Sequence, residues 1–130
     1  PSCRATGVER DPTRAARAAQ NGLQLGTPRF NVVIGEACEQ LAKLPPPDAV
    51  FVGGGVKDTA LIDLSWQALS PGGRLVANAV TLEAQAVLQA HYTNRGGDLV
   101  RLSVERAEPI GQMTGWRPAM PVMQWIGRKQ

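Results

Sequence analysis

Glu9, Glu36 and the triplet Gly53-Gly54-Gly55 are the residues whose types and positions could do chemistry. Glu9 ends the stretch from Cys3, which reads as a strand, and Glu36 and the glycines come just after short apolar runs of strand length. In open parallel sheets, ligands sit beyond the carboxyl ends of the strands. An acid at such an end can accept hydrogen bonds from both hydroxyls of a ribose, as in dinucleotide-binding folds. Glycines there let a ligand approach the backbone, because they carry no Cβ. Asn78, Thr81 and Glu83 fall at the end of another such run. Asn78 could orient a carbonyl or a ring nitrogen. Thr81 also has the position of a helix cap, and Glu83 that of a first-turn acid. Trp116-Arg117, in a stretch rich in Gly and Pro, offers an aromatic face and a forked cation.

The elements that must position these residues are organised around Asp48 to Val80. Ala49-Val50-Phe51-Val52 reads as a strand ending in the glycines. A helical pattern follows, with Leu61, Leu64 and Ala68 on one face. The turn Ser70-Pro71-Gly72-Gly73 then feeds a second apolar run, Leu75 to Val80. Strand, crossover helix and strand make a parallel βαβ unit. Upstream, Cys3 to Glu9 reads as a strand, and Asp11-Pro12 is a helix start. That helix carries Ala15, Ala18, Ala19 and Leu23 and stops at Gly26, with Arg14 and Arg17 on its other face. Phe30 to Ile34 is the next strand, and a short helix runs to about Leu44 before Pro45-Pro46-Pro47. Downstream, a helix spans Leu82 to Asn94 with Leu82, Ala86, Val87 and Ala90 as its buried stripe. Asp98 to Glu108 reads as one long strand, Pro109 to Pro118 as a loop, and Met120 to Arg128 as a final strand. The order β-α-β-α-β-α-β-α-β-β predicts a single α/β domain over residues 1–130.

Composition removes several functions. With 43% hydrophobic and 19% charged residues the chain suits a soluble globular domain. No apolar stretch exceeds strand length, so no membrane partner is expected, and no signal peptide is visible. A net charge of +3 without a basic run, and only 5% aromatics, gives no nucleic-acid face. Two separated cysteines, Cys3 and Cys38, suggest a reducing compartment, and with one histidine they make no tetrahedral zinc site. His91 lies within a helical pattern, away from the strand ends, which argues against a Ser-His-Asp arrangement. No catalytic residue stands out. The chain lacks an initiator Met and starts almost on a strand, so it reads as part of something longer.

Two acids at strand ends, with the turn Leu-Ser-Pro-Gly-Gly-Arg-Leu-Val from Leu69 to Val76, resemble the class I S-adenosylmethionine-dependent methyltransferases. Longer stretches narrow this. Pro47 to Gly55, Gly73 to Glu83, and Arg106 to Gly111 with Gly115 to Val122 resemble the decarboxylating precorrin methyltransferases of cobalamin biosynthesis. The resemblance covers essentially the whole chain. It implies a Rossmann-like sheet with helices on both faces and a closing antiparallel strand pair. The family's first strand and Gly-rich loop are missing from this sequence and are expected before Pro1.

The resemblance also implies the site. S-adenosylmethionine, leaving as S-adenosylhomocysteine, would be bound by Glu9, Arg10, Glu36, Ala37, Gly53 and Gly54. Glu9 would take the ribose, and Glu36 with the Ala37 backbone the adenine edge. The substrate, a flat tetrapyrrole carrying many carboxylates, would meet Gly55, Asn78, Thr81, Trp116 and Arg117. The implied reaction is methylation at C15 and decarboxylation of the C12 acetate, in a cytoplasmic homo-oligomer, a tetramer. C5 methylation would fall to a separate N-terminal domain. A nucleic-acid or protein methyltransferase would place an Asn-Pro-Pro-Tyr type motif where Gly53-Gly54-Gly55 stands. A nicotinamide-binding domain would also use Glu9, but the Pro-Gly-Gly turn and closing strands argue against it. A fragment with only an assembly role is the non-enzymatic alternative.

Overall fold

The computed structural model describes residues 3–56 and 58–130. The chain divides into two compact units, Pro1–Pro45 and Pro46–Gln130. In the first, β1 (Ala5–Glu9) pairs in parallel with β2 (Phe30–Ile34), with Glu9 opposite Ile34. Between them runs α1 (Pro12–Gln24), which begins as its sequence dictates. Asp11 Oδ1 accepts from the Arg14 N–H at 2.9 Å, and Pro12 fills the first position, where no N–H is needed. Ala15 and Gly22 are the residues α1 buries, whereas Leu23 is 75% exposed. Gly22 is required by packing: a Cβ there would stand 2.8 Å from Phe30 Cδ1. The short helix α2 (Ala37–Leu41) closes the unit.

In the second unit, β3 (Ala49–Val52), β4 (Arg74–Ala79), β5 (Asp98–Leu102) and β8 (Val122–Arg128) form one sheet. Its order is β3-β4-β8-β5. β3 and β4 are parallel, and β8 inserts antiparallel between β4 and β5. The Pro-Gly-Gly turn locks this geometry. Ser70 N–H donates to Pro47 O at 2.9 Å and Arg74 N–H to Asp48 O at 3.0 Å. Gly72 sits at φ 77° and donates to Lys129 O, so the turn also binds the end of the chain. A Cβ on Gly73 would meet Ser70 O at 2.8 Å. Lys129 Nζ donates to the Gln67 and Leu69 carbonyls, which end α3 (Thr59–Ala68).

Leu75, Ala77 and Ala79 of β4 are buried, as are Met123 and Trp125 of β8. They pack with Ile62 of α3 and Leu88 of α4 (Leu82–Arg95). Both helices therefore cover the same face of this sheet. Two right-handed crossovers that progress in one direction require this. The other face carries Phe51, Val76, Asn78 and Gln124, which are exposed or half-buried.

Both helical stripes differ from the expected ones. α3 buries Ile62 and Ser65 rather than Leu61, Leu64 and Ala68; Leu64 is 39% exposed. This helix is apolar on adjacent faces, so periodicity alone does not choose between them. α4 buries Ala84, Gln85, Leu88 and His91, and Leu82 is 79% exposed. A pattern that treats every polar residue as solvated rotates this helix away from its true seat.

His91 can be buried because it is partnered. Arg95 Nη1 lies 2.6 Å from His91 Nδ1, and Arg95 Nη2 donates to Asp63 Oδ1 at 2.8 Å. A guanidinium only donates, so Nδ1 accepts and the imidazole is neutral with its proton on Nε2. The ring stacks on Trp125 at 5.4 Å, Trp125 stacks on Trp66 at 5.6 Å, and Arg95 covers Trp66 at 5.1 Å. Burial lowers the His91 pKa below its usual 6.5, Arg95 lowers it further, and Asp63 acts in the opposite sense. The unfolded chain therefore takes up this proton first as pH falls. The stabilisation is present above about pH 6.5 and is lost below it. We expect melting temperature to drop between about pH 7 and pH 5 more steeply in the parent than in His91→Phe. Parallel pH profiles of the two would contradict this.

The long strand expected at Asp98 to Glu108 and the loop expected at Pro109 to Pro118 are both replaced. β5 stops at Leu102, and β6 (Glu105–Ile110) with β7 (Met113–Pro118) forms a separate antiparallel hairpin. Its two-residue turn has Gly111 at φ 61°, while Gln112 has negative φ, the pattern of a type II′ turn. Pro109 stands in an edge strand, where its missing N–H is tolerated.

Candidate functional site

In the first unit, the carboxyl ends of β1 and β2 bring Glu9, Arg10 and Glu36 together. Glu9 Oε1 accepts from the Asp11 N–H at 2.9 Å and from Arg14 Nη2 at 3.0 Å. The Asp11 N–H is the main reason the Glu9 carboxyl lies below its usual range; Arg14 adds to this, and burial opposes it. Glu9 is thus held ionised and oriented, and so it also supports the start of α1. A carboxylate has about four acceptor positions, so capacity remains for a diol. Gly35 N–H donates to the Glu9 carbonyl at 3.1 Å, which ends the β1–β2 ladder and sets Glu36 beside it. Arg10 Nη1 lies 3.6 Å from Glu36 Oε1, with both side chains more than half exposed (72% and 61%), so this pair adds little stability. Glu36 occupies the N-cap position of α2 without a side-chain cap bond. Ala37 follows as the first helical residue, and its N–H has no intrahelical partner.

In the second unit, Gly53, Gly54 and Gly55 follow β3. They differ. A Cβ on Gly54 meets nothing within 4 Å, and one on Gly53 meets Phe51 Cε1 at 3.0 Å. Gly54 therefore leaves open space along the backbone that a ligand could use. Gly55 has φ 76°, so its residue type is set by backbone conformation and not by a substrate. Gly55→Ala is expected to lower stability by about 1–2 kcal/mol, read as the denaturation midpoint. An unchanged midpoint would show that the turn relaxes without strain.

Asn78 is the penultimate residue of β4, directly opposite Gln124 of β8. Gln124 Nε2 donates to Asn78 Oδ1 at 2.9 Å. Gln124 was not recognisable from sequence as a site residue, because nothing local signals the β4–β8 register. Thr81 is the N-cap of α4, where its Oγ1 accepts from the Ala84 N–H at 3.3 Å. That bond leaves the hydroxyl proton and one lone pair for a ligand.

Trp116 and Arg117 lie on strand β7, not in a loop. Consecutive strand residues point to opposite faces, so they cannot act together from one face of the hairpin. Trp116 is 70% exposed. Arg117 Nε donates to Glu108 Oε2 at 2.8 Å, a partner the sequence reading did not assign. Among the described residues, no group of three or more His, Cys, Asp or Glu could hold a metal ion. No helix of the described residues is long and apolar enough to cross a membrane.

The strand ends and the inserted antiparallel β8 define a methyltransferase-type α/β fold. A SAM-dependent O-methyltransferase from Thermotoga maritima superposes with a TM-score of 0.71 over 98% of this chain and 50% of its own, at 17% identity, which speaks to the fold alone. The C-terminal domain of precorrin-6Y C5,15-methyltransferase from Rhodobacter capsulatus superposes with a TM-score of 0.90 at 42% identity, covering 97% of this chain and 68% of that one. A family model described as a precorrin methyltransferase domain matches residues 1–129. The chain belongs to the precorrin methyltransferase domain family. It is 50% identical over 129 residues to a decarboxylating precorrin-6Y C(5,15)-methyltransferase from Sinorhizobium sp., covering 99% of this chain and 31% of that protein. The chain thus spans about a third of that relative's length.

Proposed function

We propose that this domain uses S-adenosylmethionine to methylate a precorrin at C15, with decarboxylation of the C12 acetate. The observation that carries this reading is the family match across residues 1–129. Two features of the chain fit the cofactor. Glu9 is an ionised, pre-oriented acceptor at a strand end, suited to the ribose hydroxyls. Gly54 offers open space where a side chain would obstruct a ligand. Arg10, Glu36, Ala37 and Gly53 complete the proposed cofactor contacts, with Glu36 and the Ala37 N–H toward adenine. S-adenosylmethionine supplies an electrophilic methyl group. The residues of the chain do the positioning. Holding reacting groups in line is worth effective molarities of about 10⁵–10⁸ M, so no strong base is needed for an electron-rich ring carbon. In the decarboxylation the acetate's C–C bond breaks, carbon dioxide leaves, and the electron pair enters the protonated conjugated ring.

On the substrate side, Asn78 is proposed to bind a ring substituent or nitrogen, with Gly55 and Thr81 beside it. Trp116 would supply a stacking surface or Arg117 a carboxylate partner. C5 methylation belongs to another domain of a longer polypeptide, in keeping with the length of the Sinorhizobium relative. The protein is read as a cytoplasmic homo-oligomer, a tetramer. Leu102, Val104, Ile110, Met113 and Met120, all at least half exposed, are apolar surface that a second copy could cover. Calorimetric titration of the protein with S-adenosylhomocysteine tests the cofactor reading. Saturable binding is expected; a folded protein that takes up none would remove it.

A further inference from the structure

Asn78 is not a free amide. It lies on the face of the second unit's sheet away from α3 and α4, opposite the buried row Leu75, Ala77 and Ala79. Its direct cross-strand neighbour in the β4–β8 register is Gln124. Gln124 Nε2 donates to Asn78 Oδ1 at 2.9 Å. Both side chains are half-buried, so each keeps polar atoms open to a ligand. In this bond Gln124 is the donor and Asn78 the acceptor. With Oδ1 turned to Gln124, the Asn78 Nδ2 group, which carries two donors and no acceptor, is the part left to face outward. Among the described residues, no hydrogen bond uses Nδ2. A strand-borne amide held by a neighbouring strand is also more rigid than one on a loop, because backbone pairing fixes both Cα positions.

We propose that Gln124 is the positioning residue for Asn78, and that the pair presents a hydrogen-bond donor to an acceptor atom of the tetrapyrrole. That acceptor would be a carboxylate or carbonyl oxygen, or an imine-type ring nitrogen. At Asn78 Nδ2 itself, a ring N–H would meet a second donor. The inference rests on the functional reading above and deepens it, by choosing between a ring N–H and an acceptor as the partner of Asn78. Gln124 touches no reacting atom in this account and acts only through Asn78.

The test uses the protein in its natural length, with S-adenosylmethionine and precorrin-6Y. Gln124→Met keeps the volume and removes the donor, so Asn78 can rotate. Gln124→Glu replaces the donor with a group that only accepts, so Asn78 turns its Nδ2 inward and shows Oδ1 to the substrate. Loss of an ordinary hydrogen bond predicts a kcat/KM lower by about 2- to 10-fold in the Met variant. An acceptor left facing an acceptor predicts a loss of about 5- to 100-fold in the Glu variant. S-adenosylhomocysteine affinity and melting temperature should stay at the parent values in both. A merely structural role would lower melting temperature without this ranking. If Gln124→Glu is folded and methylates precorrin-6Y at the parent rate, the inference is overturned and the functional reading stands. If the parent itself transfers no methyl group to precorrin-6Y, both fall together.

Discussion

Replacing Trp125 with alanine is expected to lower the unfolding free energy by about 3–5 kcal/mol. Trp125 is fully buried at the centre of the β3-β4-β8-β5 sheet. It stacks on both Trp66 of α3 and His91 of α4, and so joins the two crossover helices to the strand between β4 and β5. Its Nε1 donates to the Gly96 carbonyl at 3.0 Å, which fixes the exit of α4. Space around it is already full: a Cβ on Gly127 would stand 2.6 Å from Trp125 Cζ2 and 2.7 Å from Trp66 Cζ3. Removing the indole leaves a cavity, an unpaired carbonyl and a rearranged seat for His91. Urea denaturation followed by circular dichroism measures the loss. A change below about 1 kcal/mol would mean the core collapses around the gap and the Trp125 cluster is not central.

Glu9→Gln should weaken S-adenosylhomocysteine binding by about 10- to 100-fold, the scale of a hydrogen bond to a charged group. Glutamine keeps the shape and one acceptor, so the Asp11 N–H can still be met. It loses the charge paired with Arg14 and one oxygen of the proposed ribose clamp. The depressed carboxyl pKa sharpens this expectation. A carboxyl with a lowered folded-state pKa contributes stability that is present above its ordinary pKa and is lost as pH falls from there through the lowered value, while its charge in the folded protein persists below the ordinary pKa. Calorimetric affinity of the variant at neutral pH is the check. Parent-like affinity would move the ribose contact to another residue.

Much of this architecture is legible in the chain itself. Asp11-Pro12 starts α1 because a carboxylate can meet the Arg14 N–H and proline needs no partner. Ser70-Pro71-Gly72-Gly73 is a turn because Gly72 adopts positive φ and Gly73 has no room for a Cβ. Glu9 and Glu36 sit at the carboxyl ends of β1 and β2, the strands that the sequence predicts there. Other features resist sequence reading for physical reasons. His91 and Gln85 are buried polar residues, and His91 is permitted by Arg95, a partner one helical turn away whose role the pattern does not disclose. Pro109 and Gly111 look like loop formers, yet an edge strand accepts the proline and a type II′ turn uses the glycine. Gln124 meets Asn78 across 46 residues of sequence, through a register that only the folded sheet defines.

The most direct test of the central claim is incubation of the natural-length protein with precorrin-6Y and methyl-labelled S-adenosylmethionine, followed by nuclear magnetic resonance of the tetrapyrrole. The account predicts the label on C15 and release of one carbon dioxide from the C12 acetate. A folded protein that binds S-adenosylhomocysteine yet leaves the tetrapyrrole unlabelled and still carboxylated would contradict it.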